Sequence, residues 1–282
     1  MVFKSAESRK AWFTRFVYLM LVLLSLFVLF PVIWMVVTAF KSEQEALAIP
    51  PTWLPQKWTV FGFNYMWEMK PFLLYFRNSL FTAAPTAILA TFFGGLAAYS
   101  ISRFRFKFRK AFMVIVLCTQ MVPGVLLVGP YFKVLNLFGL YNTHIGLILG
   151  YIAVALPFCT WMLKGYYDSI PKELDEAALV DGCGKVRTFF QVILPLSTPG
   201  MVATGIFSFL LAWGDLLWAL CLTSSEDVAT VTLGIANSVG EYRVVWPALM
   251  AAALIACVPS VVFYSFLQKY IVGGMTNGGV KG

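Results

Sequence analysis

Charge is what this sequence has least of. Asp, Glu, Lys and Arg together supply 12% of its residues, against about 25% in an ordinary soluble domain. With 60% of the residues hydrophobic, too little polar surface remains to face water, and a soluble globular fold is excluded. Histidine is nearly missing, His144 being the single copy, and neither HExxH nor GxxxxGK[ST] occurs. A zinc hydrolase helix and a nucleotide-cradling P-loop are thereby excluded, and the chain by itself is not expected to be an enzyme or to bind a cofactor or metal. The five cysteines, Cys118, Cys159, Cys183, Cys221 and Cys257, include no CxxC pair, so they read as small packing residues rather than metal or redox ligands. No basic face wide enough for nucleic acid is present either. The net charge of +8 sits in short clusters such as RFRFKFRK, and anionic lipid headgroups are the expected partner.

What is abundant is uninterrupted apolar sequence. Nothing is charged between Arg15 and Lys41, Arg77 and Arg103, Lys110 and Lys133, or Arg243 and Lys269, and each interval reaches the roughly 20 residues a helix needs to cross a bilayer. A fifth run precedes Lys164, and a sixth holds one acid, Asp215. The expected fold is all-α: one polytopic membrane domain over 1–282, with six transmembrane helices at about 16–40, 74–101, 111–131, 144–163, 199–222 and 246–268. The first run lacks an A-x-A-like cleavage site and reads as a retained helix. With the N-terminus inside, 15 of the 21 basic residues, from Lys4, Arg9 and Lys10 to Lys269 and Lys281, fall on inner segments. The inside bias of Lys and Arg then predicts both termini to be cytoplasmic.

The first outer loop, Lys41 to about Lys70, is rich in Pro and Trp, and Trp53, Trp58 and Trp67 suit the wet edge of a bilayer. Small residues at four-residue spacing, Ala90, Gly94 and Ala98 in the second span and Ala248, Ala252 and Ala256 in the sixth, mark packed helix faces. Polar groups inside the spans point to a hydrated pathway: Asn78 heads a stripe with Thr82 and Thr86, Gln120 precedes Pro123 and Gly124, and Trp213 adjoins Asp215. Asp215 is the acid whose retention in hydrocarbon demands a role or a cation such as Arg77. The Ser and Thr residues are expected to bond to their own helices. The glycine-rich ending GGMTNGGVKG is expected to be irregular.

The loop 164–198 is about 35 residues long, far beyond the 2 to 8 that usually join packed helices. Pro171 suits a first helical turn, with Glu173, Asp175 and Glu176 at its positive end. Gly182 suits a left-handed stop. A second helix is expected from Lys185 to Leu194, with Val186, Phe189, Phe190 and Ile193 on one apolar side and Pro195 as its end.

Within it, Glu176-Ala177-Ala178, then Gly182, then Val192-Ile193-Leu194-Pro195 resembles the signature loop of the permease subunits of bacterial ABC importers, with Val192 as a conservative departure. RNSL at 77–80, LPLSTPG at 194–200 and FLLAWGDLLWAL at 209–220 extend the similarity to the carbohydrate-uptake branch, the maltose and glycerol-phosphate type of second permease. That resemblance implies import of a sugar or oligosaccharide across a bacterial inner membrane. It also implies a second permease, two cytosolic ATPases that carry ATP and Mg, and an extracytoplasmic solute-binding protein as partners. Glu176, Ala177, Ala178, Asp181, Gly182 and Lys185 would belong to a coupling helix docked on the ATPase, and Asn78, Gln120, Trp213 and Asp215 to the substrate pathway. Gly214 stands where relatives often carry Asn. Import of glycerol phosphate or another polyol, and an ion-coupled carrier using Asp215 as proton site, are the alternatives.

Overall fold

The computed structural model describes the backbone of residues 2–239 and 243–278 and the side chains of 10–239 and 243–268. Of the basic residues counted for orientation, the side chains of Lys4, Arg9 and Lys269 and the whole of Lys281 lie outside the described residues. The principal helices are α1 Val2–Ala39, α2 Phe61–Met69, α3 Phe72–Arg103, α4 Arg109–Thr119, α5 Gly124–Leu137, α6 His144–Ser169, α7 Glu173–Val180, α8 Lys185–Leu196, α9 Thr198–Trp213, α10 Leu217–Leu222, α11 Val231–Ala236 and α12 Trp246–Gly278. No strand occurs among the described residues.

Two compact units result, one of Met1–Lys70 with Ser238–Ile255, the other of Pro71–Asn237 with Ala256–Gly282. In the first, α1 runs straight into a tight loop. Ser42 caps the turn Glu43–Ala46 by accepting from the Glu45 N–H at 3.3 Å. Glu45 Oε1 then accepts from the Thr52 hydroxyl at 2.8 Å and the Gln56 N–H at 2.7 Å, and the Gln56 N–H in particular holds that carboxylate below its usual range. Of the loop tryptophans, Trp53 lies 5.8 Å from Trp34, and Trp58 5.8 Å from Phe40, between ring centroids, and both stay largely exposed. Arg243 forks onto both oxygens of Glu43 at 2.7 Å.

The second unit is organised on α3 and α6. Ala90, Gly94 and Ala98 form the contact face of α3, as their spacing predicts, against Ala155, Cys159, Leu163 and Tyr167 of α6. Lipid tails give helices no hydrophobic reason to associate, so close approach along small residues must supply the attraction. Thr82 and Thr86 donate to carbonyls of α3, and Thr204 and Ser208 to carbonyls of α9, each satisfied within its own helix as expected.

Four helical stretches are long and apolar enough to cross a membrane: Lys10–Ala39, Phe72–Arg103, His144–Ser169 and Trp246–Gln268. The stretch expected at 111–131 is instead a bent pair, α4 and α5, turning by 98°, at the point where Pro123 removes a donor and restricts the residue before it. The stretch expected at 199–222 is also interrupted, because α9 ends at Trp213 and α10 starts at Leu217. At 16 residues α9 spans about 24 Å, short of the roughly 30 Å hydrocarbon core. A bend of 78° joins it to α8, so the chain has up to six spans if each bent pair counts as one.

Two expectations about loop and tail are corrected. Pro195 does not end the second loop helix. A π turn over Phe189–Ile193 leads directly into Leu194–Leu196, and widening the helix there relieves the clash a proline ring makes with the carbonyl four residues back. The supposed single apolar side is also divided: Phe189 and Ile193 are buried while Val186 and Phe190 are exposed. At the other end, α12 continues helically to Gly278, against the irregular ending expected over 273–282, of which 279–282 lie outside the described residues. The stretch 273–278 contains no proline to stop it.

Candidate functional site

The loop 164–198 folds into the helical hairpin α7–α8. Its corner is a left-handed turn at Gly182, φ +80°. Cys183 N–H donates to the Ala178 carbonyl at 2.9 Å and Gly182 N–H to the Leu179 carbonyl at 3.1 Å, which together form a Schellman stop. Three acids stand in the first turn of α7 where the helix dipole favours them.

Glu176, Ala177, Asp181, Gly182 and Lys185 are all exposed, while Ala178 is turned inward. The hairpin thus presents acids beside bare apolar groups. Val180 is 88% exposed and Val186 72%, a combination that invites a partner surface.

What holds the hairpin is a cluster that the sequence alone did not single out. Arg103, at the last turn of α3, faces Asp175 of α7 at 2.9 Å, with side chains 5% and 17% exposed. The guanidinium approaches at an angle that makes this an ion pair rather than a linear hydrogen bond. Tyr99 donates its hydroxyl to the other Asp175 oxygen at 3.2 Å, and Arg103 Nη2 donates to the Ile170 carbonyl at 3.0 Å. One turn away, Ser102 donates to Asp168 at 2.6 Å, and Lys164 does so at 2.5 Å. Beneath, Tyr99, Leu163, Tyr167, Phe189 and Ile193 form a buried core shared by α3, α6 and α8. The only hint in the sequence was a basic residue at a span end and an acid near a helix start, 72 positions apart.

The residues expected along the pathway are not brought together. Asn78 is buried, with its amide donating to the carbonyls of Asp227 at 2.8 Å and Ala229 at 3.0 Å, so it anchors the strap before α11. Trp213 is buried too. Its indole donates to the Ala256 carbonyl at 3.0 Å and stacks on Phe209. Gln120 differs: it is exposed in the bend between α4 and α5, and it lines a cavity of about 440 Å³ with Thr119, Gly124, Tyr131, Val154 and Pro157. Its amide donates to the Val154 carbonyl at 3.3 Å. Tyr131, which sequence reasoning passed over, packs edge-on to Trp218 at 5.0 Å.

Asp215 sits in the break after α9. One oxygen accepts from the Trp218 N–H at 3.0 Å, the Ala219 N–H at 3.1 Å and the Tyr151 hydroxyl at 3.1 Å. The Thr232 hydroxyl donates to its carbonyl. No cation lies within ion-pair distance among the described residues, so the partner expected in Arg77 is replaced by a helix N-terminus and a phenol. Replacing Asp215 by Ala should destabilise the purified chain by about 1 to 3 kcal/mol, because two N–H groups and a hydroxyl lose their acceptor, and Asn should cost less. Thermal unfolding reads this directly, and an Ala variant as stable as the parent would remove the capping role.

Comparison with known proteins places these features. The family model described as "Binding-protein-dependent transport system inner membrane component" matches residues 90–277. The chain is 38% identical to an inner membrane ABC transporter permease protein, YcjP, of Escherichia coli (strain K12), over 93% of this chain and 94% of that one. It is 35% identical to the trehalose/maltose transport system permease protein MalG of Thermococcus litoralis, over 93% and 94% of the two chains. Against the diacetylchitobiose uptake system permease protein NgcG of Streptomyces coelicolor it is 35% identical, over 98% and 91%. The fold matches a chain in the crystal structure of a bacterial ABC transporter involved in the import of the acidic polysaccharide alginate, with a TM-score of 0.80, 19% identity and coverage of 92% and 96%.

Proposed function

Because the chain belongs to the binding-protein-dependent transport system inner membrane component family, the permeases of ABC importers, we propose that it forms half of an ATP-driven pathway for a sugar or oligosaccharide. It is a multi-pass membrane protein and a transport subunit. In this reading the α4–α5 pair and α9 with α10 each supply a span, giving six, with both termini and the α7–α8 hairpin on the cytoplasmic side. A second permease completes the pathway, two ATPases supply ATP hydrolysis with Mg, and a solute-binding protein delivers the substrate from outside.

The observation that carries the proposal is the exposed hairpin, bound to α3 and α6 through the Arg103–Asp175 pair and its core. Glu176, Ala177, Asp181, Gly182 and Lys185 offer a partner ATPase a mixed acidic and apolar face. Closure of that partner displaces the hairpin, and a stiff joint passes the displacement to α3 and α6 instead of losing it in local bending. Gln120 and Tyr131 offer amide and phenol groups to a hydroxyl-rich substrate in the cavity at the α4–α5 bend, while Asn78 and Trp213 serve packing elsewhere, on the strap before α11 and against α12. The names of the relatives, which include diacetylchitobiose and trehalose/maltose systems, support a saccharide over a polyol. An ion-coupled carrier is not favoured, since the Asp215 carboxylate it would use is occupied as a helix cap.

The test is uptake into vesicles by the chain assembled with its partner permease, ATPases and binding protein. Labelled oligosaccharide should enter only with ATP inside the ATPase compartment, and uptake driven by a proton gradient without ATP would overturn the proposal. The same assay examines the corner of the hairpin. A β-carbon at Gly182 meets nothing within 4 Å, so the cost of Gly182→Leu is the left-handed backbone alone, about 1 to 2 kcal/mol. Uptake per ATP should fall several-fold with membrane insertion intact, and Gly182→Asn, which tolerates that backbone, should stay near the parent. Unchanged coupling in the Leu variant would remove Gly182 from the mechanism.

A further inference from the structure

The first unit holds a cationic cavity that the transport reading does not use. Lys41, immediately beyond the end of α1, is 2% exposed. Its Nζ donates to the Thr52 carbonyl at 2.5 Å and lies 4.7 Å from the centroid of the Trp34 ring. An ammonium carries three donors, so a carbonyl and a ring face leave it incompletely satisfied. Among the described residues no carboxylate oxygen comes within ion-pair distance of it. Glu45, whose charge acts on Lys41, has its Oε1 engaged by Thr52 and Gln56, and Glu43 is held by Arg243.

Next to it Thr38, 6% exposed, has a buried hydroxyl with no hydrogen-bond partner. Buried polar groups in native folds are almost always paired, and an exception calls for an unseen partner. Both residues line one cavity of about 260 Å³, walled by Trp34, Pro51, Trp246 and Met250. That is far more than the roughly 10 to 15 Å³ that one water needs, so a group of several heavy atoms fits.

We infer that this cavity binds a phosphate group, with Lys41 supplying the charge, Thr38 a hydroxyl donor and the two indoles the walls. A buried cation with no carboxylate in contact is costly, and an anionic oxygen group supplies a charge in contact and both missing hydrogen bonds together. Position favours phosphate: the apolar stretch Lys10–Ala39 ends here, the level at which an apolar span gives way to headgroups. The phosphate could therefore come from a lipid or from a free molecule.

The full chain, purified in a neutral detergent, is tested against both sources. In one arm it is equilibrated with mixed phosphatidylglycerol and phosphatidylcholine, and the retained lipids are counted by native mass spectrometry. In the other, inorganic phosphate is titrated and thermal unfolding is followed. A lipid source predicts preferential retention of phosphatidylglycerol, with apparent affinity at least tenfold lower in Lys41→Met, lower in Thr38→Val and preserved in Lys41→Arg. A free source predicts the same ordering for a saturable rise in melting temperature with inorganic phosphate. If Lys41→Met does not fold, Thr38→Val, nearly the same shape without the hydroxyl, decides. Parent and Thr38→Val responding alike in both arms, or neither responding at all, overturns the inference. The readouts need no transport, so they stand or fall separately from the importer reading.

Discussion

Replacing Arg103 by Met is expected to cut ATP-driven uptake at least tenfold while the chain still inserts and the partner ATPases still turn over. The change strands Asp175, whose side chain is 17% exposed, and frees the Ile170 carbonyl that Arg103 Nη2 bonds. Removing one member of a buried pair costs about 3 to 5 kcal/mol. The lower end applies here, since Asp175 keeps some water and the Tyr99 hydroxyl. A loss of that size falls on one joint. The core of Tyr99, Phe189 and Ile193 can keep the hairpin folded, but its register on α3 is no longer held by charge, so the partner's stroke is absorbed as slack. Arg103→Met with Asp175→Leu should recover much of the stability, because replacing both members of a buried pair by apolar groups is often nearly neutral. The quantity to measure is substrate moved per ATP hydrolysed. A normal ratio in the single variant would show that the pair is only structural.

A large loss of stability is expected at Gly94. A Cβ there would lie 2.6 Å from Cys159 Cβ and 3.2 Å from the Thr160 nitrogen, closer than non-bonded atoms approach. Both lie on or next to the backbone of α6, so neither can swing away, and α3 and α6 must separate. Overpacking usually costs 1 to 3 kcal/mol, and Gly94→Leu should reach about 3 kcal/mol or more, a fall in melting temperature of roughly 10 °C. Gly129, inside α5 where nothing lies within 4 Å, is the control, and its change to Ala should not lower the melting temperature, because a helix interior favours Ala over Gly. Pairing Gly94→Ala with Cys159→Gly returns the removed space and should relieve most of the strain. Equal unfolding temperatures for Gly94→Leu and the parent would mean that the α3–α6 seam is looser than described.

The corner at Gly182 was legible because a left-handed stop has a local chemical signature, and the small-residue stripe of α3 because spacing alone places residues on one face. Gln120 was readable as a polar group beside a proline break, and the structure adds the cavity around it. Asn78, Trp213 and Asp215 were visible as polar groups in apolar runs. Their partners were not: the carbonyls of 227 and 229, the Ala256 carbonyl, and the N–H groups of Trp218 and Ala219. Backbone acceptors and donors leave almost no mark in a sequence, because every residue carries the carbonyl and every one but proline the N–H. The same holds for the cavity at Lys41, where the sequence records only a lysine at the end of an apolar run.

The sequence by itself determined that the chain is helical and lives in a membrane, because hydropathy and length act along the chain and need no partner. It also determined where the α7–α8 hairpin turns, since an acid-rich first turn and a left-handed glycine are local. Only the tertiary structure decided what the hairpin is fastened to and where two of the apolar runs bend. It also decided which polar groups are spent on packing and which face a cavity. Those outcomes depend on residues far apart in sequence meeting at hydrogen-bond or van der Waals distance, as Arg103 meets Asp175 and Gly94 meets Cys159. Such energies fall off within a few ångströms, and the order of residues does not encode them one position at a time.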